Sequence, residues 1–163
     1  ILKKNFLKFI DLNEIGTGED ILFNIDFCMN SERVSFVKDT YYYYCYNEVS
    51  LTNLYRKDRF SQDLILYDEL VRRLKWYNEF EKVKYGLNAF FMGYIRALLK
   101  QEINRDSSKN EKIRNIRWIA ENKIVHEVVC LCANEGIKKD IVNILIRFKM
   151  VNSLYWLLAI NNI

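Results

Sequence analysis

Two adjacent carboxylates, Glu19 and Asp20, follow Gly16-Thr17-Gly18 and precede the apolar run Ile21-Leu22-Phe23. Acids in the first turn of a helix face N–H groups that have no partner within the helix, and this favours their anionic form. Such a pair either complements the helix dipole or offers a carboxylate that takes a proton from an attacking hydroxyl. By its position Asp20 is the candidate for such a base. Further along, the aromatic run Tyr41-Tyr42-Tyr43-Tyr44-Cys45-Tyr46 leads into Asn47-Glu48-Val49-Ser50-Leu51-Thr52. Alternating tyrosines pack well on a sheet, and Asn47, Ser50 and Thr52 either line a substrate site or build the turn after it.

Other chemistry-bearing residues are sparser. Of Cys28, Cys45, Cys130 and Cys132, only the last two are close in sequence. A zinc site needs a second pair of ligands, which the single His126 does not supply, so reduced, buried thiols are expected. His126 has only Cys130 as a polar partner at helical spacing and is expected to be a core or surface histidine. The cations Arg72, Arg73 and Lys75, beside Trp76 and Tyr77, touch a phosphate or form a solvated helix face; the second is expected. Tyr155-Trp156-Leu157-Leu158, near Arg147 and Lys149, is expected to close the core, with docking on a membrane surface as the alternative.

The elements that must position these residues follow from composition and period. The chain has 163 residues, 50% of them hydrophobic and 28% charged, which suits one globular domain with its own core. A net charge of +4 with interspersed acids argues against a nucleic-acid binder. The longest apolar run, Leu154 to Ile160, is about two helical turns, too short to span a bilayer. The chain starts at Ile1 without a signal-peptide pattern and is expected to be part of a larger protein in the cytoplasm, with the inner face of the membrane as one place of work.

Thr17 is the expected N-cap of a helix running from Glu19 to about Asn30, with Asp20 completing a capping box. Its apolar residues, Ile21, Leu22, Ile25, Cys28 and Met29 on one face and Phe23 and Phe27 on another, predict burial between layers. Val34–Val37 and Tyr41–Tyr46 then predict a two-stranded β element. Apolar residues at three- and four-residue spacing predict long helices over 57–80 and 83–104. The polar stretch 104–110 reads as a linker, and shorter helices are expected over 111–121, 123–134, 138–149 and 151–160, with Gly136 as a C-cap signal. The fold class is therefore α+β and predominantly α-helical: helix, two-stranded β element, then a helical bundle-like tail. Two strands alone make no stable sheet, so they need partners or a covering layer.

Gly18-Glu19-Asp20-Ile21-Leu22-Phe23-Asn24, a Phe-Val strand, a tyrosine strand and Asn47, Ser50 and Thr52, in that order, resemble the C-terminal half of family 2 glycosyltransferases. The likeness is greatest to bacterial enzymes that build surface polysaccharide. It covers residues 1 to about 75. It implies a GT-A α/β fold, of which residues 1–56 are the acceptor-side part and residues 57–163 a C-terminal helical extension. The implied partners are a nucleotide-sugar donor and a saccharide or lipid-linked acceptor, without nucleic acid. The implied cofactor is a divalent metal, Mg or Mn, held by an Asp-x-Asp motif in the donor-binding half; that half lies ahead of these residues, so no metal site is expected in this chain and it is expected to be inactive alone. The resemblance makes Asp20 the base with Glu19 beside it, and places Gly18, Tyr44, Asn47 and Ser50 at the substrate. Cys45 stands where relatives often carry Arg. The alternative is a helical interaction or homodimerisation module without catalytic activity, suggested by the surplus of apolar helix faces.

Overall fold

The computed structural model describes residues 18–35, 38–39, 43, 55–134 and 141–160. The chain divides into two compact units, Ile1–Asp58 and Arg59–Ile163. The described residues are predominantly helical, with seven α-helices and no strand among them.

In the first unit, helix α1 spans Glu19–Met29. Its N-cap is Gly18 and not the expected Thr17, which lies outside the described residues. Gly18 sits at φ 81°, ψ 19°, a left-handed conformation that a residue without Cβ adopts at no steric cost. No side chain caps this end. The Gly18 carbonyl instead accepts from the N–H groups of Ile21 and Leu22, each at 3.1 Å. The far end is closed by side chains: Ser31 Oγ donates to the Phe27 carbonyl at 2.6 Å and Asn30 Nδ2 to that of Asp26 at 2.8 Å. The expected burial on two faces is corrected. Leu22 is fully buried, while Ile21, Phe23, Ile25 and Phe27 are half-buried and Cys28 and Met29 are exposed. The two-stranded element is likewise not seen where the chain is described: Val34, Ser35 and Tyr43 are exposed and outside any strand. The remaining residues of both expected strands lie outside the described residues.

The second unit is a helical bundle. Helices α2 (Arg59–Trp76), α3 (Phe80–Asn104), α4 (Lys109–Ala120), α5 (Lys123–Asn134), α6 (Ile141–Arg147) and α7 (Val151–Ile160) follow in order. The longest, α3, is the central post and packs against α2, α4, α5 and α7. Its apolar stripe, Phe91, Met92, Ile95, Leu98, Leu99 and Ile103, is buried against Phe60 of α2, Ile116 of α4, Val125 and Val129 of α5, and Leu154 of α7. Burying one such side chain contributes about 1.5–3 kcal/mol, so this stripe is the main source of the unit's stability. Gly136, and residues 138–140 of the expected helix over 138–149, lie outside the described residues.

The turns are built by local rules. After α2, Asn78 is left-handed at φ 57°. The Glu79 N–H donates to the Leu74 carbonyl at 2.9 Å and the Asn78 N–H to that of Lys75 at 3.0 Å, a Schellman closure. The same closure ends α6: Lys149 is left-handed at φ 54°, Met150 N–H donates to the Leu145 carbonyl at 2.8 Å, and Lys149 N–H to that of Ile146 at 3.0 Å. Between α3 and α4 the polar stretch read as a linker is a tight, pinned turn. Ser108 caps α4 by accepting from the Glu111 N–H at 3.3 Å.

Candidate functional site

The acidic pair stands at the opening of α1. Glu19 is half-buried and Asp20 exposed, both in the first turn. Asp20 Oδ1 accepts from the N–H of Ile21 at 2.9 Å, and no cation pairs with this carboxylate among the described residues. The left-handed, buried Gly18 sets the direction in which the chain enters the helix, and so where the two acids point. Behind them Phe23 and Phe27 stack with centroids 6.2 Å apart on the side of the helix that carries Asp20. The arrangement offers a carboxylate oxygen to solvent at a helix start. It can accept a proton or a hydroxyl hydrogen bond there.

Of the other expected site residues, Tyr44, Asn47 and Ser50 lie outside the described residues, as do Cys45 and Thr52. A divalent cation of the kind the resemblance implies needs several oxygen ligands in one place. Among the described residues no three of His, Cys, Asp and Glu gather closely enough to hold one.

The remaining candidates have structural partners. Arg72 and Arg73 both grip Glu69, at 2.6 Å and 2.9 Å, and Lys75 lies 5.2 Å over the Phe80 ring; Arg72 and Lys75 are solvated as expected, while the Arg73 side chain is largely buried. His126 is half-buried on α5 and ties it to the end of α6, with Nε2 3.2 Å from the Arg147 carbonyl and Nδ1 3.9 Å from Cys130 Sγ. Cys28, Cys130 and Cys132 are free thiols. The expectation that all are buried is corrected: Cys132 is buried, Cys130 half-buried and Cys28 exposed, because Cys28 falls on the open last turn of α1. Burial pushes the Cys132 thiol above its ordinary pKa, with Arg96 acting in the opposite direction.

Sequence reading missed three polar anchors on α3. Asn88, 2% exposed, accepts from the Tyr67 hydroxyl at 2.8 Å. Glu102, 3% exposed, accepts from Arg105 at 2.7 Å and from Asn115 at 3.2 Å. Arg96 donates to the buried Asn143 at 3.1 Å. Their signal was present as polar residues set within the apolar stripe of a long helix.

Comparison of the chain with protein-family models, with curated proteins and with solved structures finds no match. Among the described residues no helix is long and apolar enough to cross a membrane.

Proposed function

We propose that this chain is the acceptor-side part of an inverting, nucleotide-sugar-dependent glycosyltransferase of the family 2 kind, serving surface polysaccharide synthesis at the cytoplasmic face of the membrane. Supporting the reading is an exposed Asp20, with no cation on it among the described residues, at a helix start opened by a left-handed glycine. It stands in the Gly-Glu-Asp context whose resemblance was described above. In this reading a hydroxyl of a saccharide or lipid-linked acceptor attacks the anomeric carbon of the donor sugar. Its proton passes to the Asp20 carboxylate as the new C–O bond forms, while the bond to the nucleotide diphosphate breaks on the opposite face and the configuration inverts. Glu19 orients the acceptor hydroxyl. Tyr44, Asn47 and Ser50 belong to the substrate side, the chain around Val34–Val37 and Tyr41–Tyr46 to the edge of a GT-A sheet, residues 1–56 to the catalytic domain and residues 57–163 to its helical extension. The donor-binding half lies outside these residues, and the chain alone is inactive.

The test is Asp20→Asn in the protein carried together with its donor-binding half. Transfer falls by roughly 10²–10⁴-fold while nucleotide binding is kept, because the amide is nearly isosteric but accepts no proton. A variant that retains full turnover removes Asp20 from this role.

A further inference from the structure

The surface formed by α4 and α7 carries a pattern that the sugar-transfer reading does not use. The two helices run antiparallel. Lys109, at the start of α4, lies 4.4 Å over the Trp156 ring in the second half of α7. At the other end Arg117 and Glu121 share a shallow depression of about 580 Å³ with Lys149, Met150, Asn152 and Ser153. Along the outer side of α7, Ser153, Trp156 and Ile160 follow at three- and four-residue spacing and are all exposed, Trp156 at 55% and Ile160 at 63%. The turn ahead of α7 adds Phe148, 67% exposed, and Met150, 48% exposed, on either side of Lys149. The inner side of the same helix buries Val151 and Leu154.

The charges around this apolar strip are one-sided. Residues 141–160 contain Arg147 and Lys149 and no acid, and α4 carries Lys109, Lys112, Arg114 and Arg117 against Glu111. The depression also holds an acid, Glu121, 3.9 Å from Arg117. Elsewhere in the bundle Arg72 sits on Glu69, Lys82 on Glu79 and Lys84 on Glu81, while the exposed Lys75 and Lys100 have no carboxylate partner among the described residues. Lys109, Arg114, Arg147 and Lys149 have no carboxylate partner among the described residues. Lys149 also occupies a left-handed position where glycine is favoured.

We propose that the α4–α7 face docks peripherally on an anionic membrane surface, with Trp156, Ile160, Phe148 and Met150 entering the interface and the flanking cations meeting lipid phosphates. A nucleic acid offers the phosphates but no apolar phase for the aliphatic groups. A headgroup layer above acyl chains accepts both, with tryptophan at its preferred depth. This inference stands apart from the identity of the transferred group.

The test is flotation of the full chain with vesicles of phosphatidylcholine alone, and of phosphatidylcholine mixed with phosphatidylglycerol, at low and high salt. Binding is expected to the mixed vesicles only and to weaken with salt, since each basic residue near such a surface contributes roughly fivefold to partition. Lys109→Ser and Lys149→Gly each lower partition by about that factor. Trp156→Ser lowers it further. Lys149→Gly also relieves the left-handed backbone and raises the melting temperature, so its loss of binding is not a loss of fold. Trp76→Ser, at an 82% exposed tryptophan on the α2–α3 hairpin, leaves binding unchanged. No binding to the mixed vesicles, or equal loss in Trp76→Ser, overturns the proposal. So does a dimer in light scattering that Trp156→Ser disperses while vesicles are ignored, which would make the face a protein interface.

Discussion

Replacing Tyr67 with Phe removes one oxygen and tests the best-defined polar contact in the bundle. The Tyr67 hydroxyl donates to Asn88 Oδ1 at 2.8 Å, and Asn88 is 2% exposed. Without the donor, a buried amide oxygen loses its partner, which costs about 1–3 kcal/mol. Urea unfolding at neutral pH should show this as a lower midpoint with an unchanged slope. Tyr67→Phe combined with Asn88→Leu should recover part of the loss, since removing both polar groups leaves nothing unpaired. A second readout comes from pH. Burial first, then the charges of Asp68, Cys132 and Glu127, push the Tyr67 phenol from 10.0 to about 12. Because the folded value lies above the unfolded one, the contribution is complete below pH 10 and is lost as pH climbs from 10 towards 12. One proton is worth roughly 1.4 kcal/mol per pH unit, and the ring's partial exposure screens this to about half. The stability gap between the parent and Tyr67→Phe should therefore narrow by about 1–1.5 kcal/mol across that window. An equal midpoint for the two proteins at neutral pH, or a gap that stays constant through the alkaline range, refutes the reasoning.

Three further perturbations follow from the same geometry. A Cβ added at Gly86 or Gly93 of α3 meets nothing within 4 Å, so Gly86→Ala and Gly93→Ala should each stabilise by about 0.5–1 kcal/mol, read as a rise in melting temperature of about 2 °C. Glu102→Ala removes the acceptor shared by Arg105 and Asn115 at the α3–α4 turn while Arg105 keeps Glu111 at 3.0 Å, and it should cost about 1–2 kcal/mol in urea unfolding. Thiol labelling of the native protein should modify exposed Cys28 first and reach Cys132 only on unfolding, since that thiol is both 2% exposed and shifted away from its reactive thiolate.

The helices of the second unit were legible because their apolar residues recur at helical spacing. The long helix expected over 83–104 is Phe80–Asn104, and that expected over 123–134 is Lys123–Asn134. Their ends were less legible. Ser108-Lys109-Asn110-Glu111 spells a capping box, yet the polar composition of the whole stretch read as a linker. At α1, Thr17 carried the preferred side chain for a cap, but backbone geometry won: a left-handed Gly18 turns its carbonyl onto two N–H groups and leaves no cap for a hydroxyl to fill. Of the aromatic run at 41–46 only Tyr43 is described, exposed and outside any strand. At the candidate site, the position of Asp20 at a helix start was legible from the two acids and the apolar run. Its role was not, because a dipole-complementing acid and a general base occupy the same first turn and differ only in what faces them.

Tyr155 to Leu158 posed a choice between closing the core and meeting a membrane, and the structure buries one side of this helix and exposes the other. Leu154 and Trp156 are two residues apart, which puts them on opposite sides of α7, so the buried side and the exposed aromatic side belong to the same two turns. The polar residues of α3 follow a comparable division of labour. Asn88 reaches Tyr67 on α2, Arg96 reaches Asn143 on α6, and Glu102 reaches Asn115 on α4. Apolar burial along the post is non-directional and tolerates a helix sliding by a turn. A hydrogen bond from a buried side chain does not, since a slipped partner leaves a polar group desolvated and alone. One such bond to each of three neighbours is therefore enough to fix the register that the apolar stripe leaves open, and polar residues interrupting a buried stripe are the sequence feature that marks it.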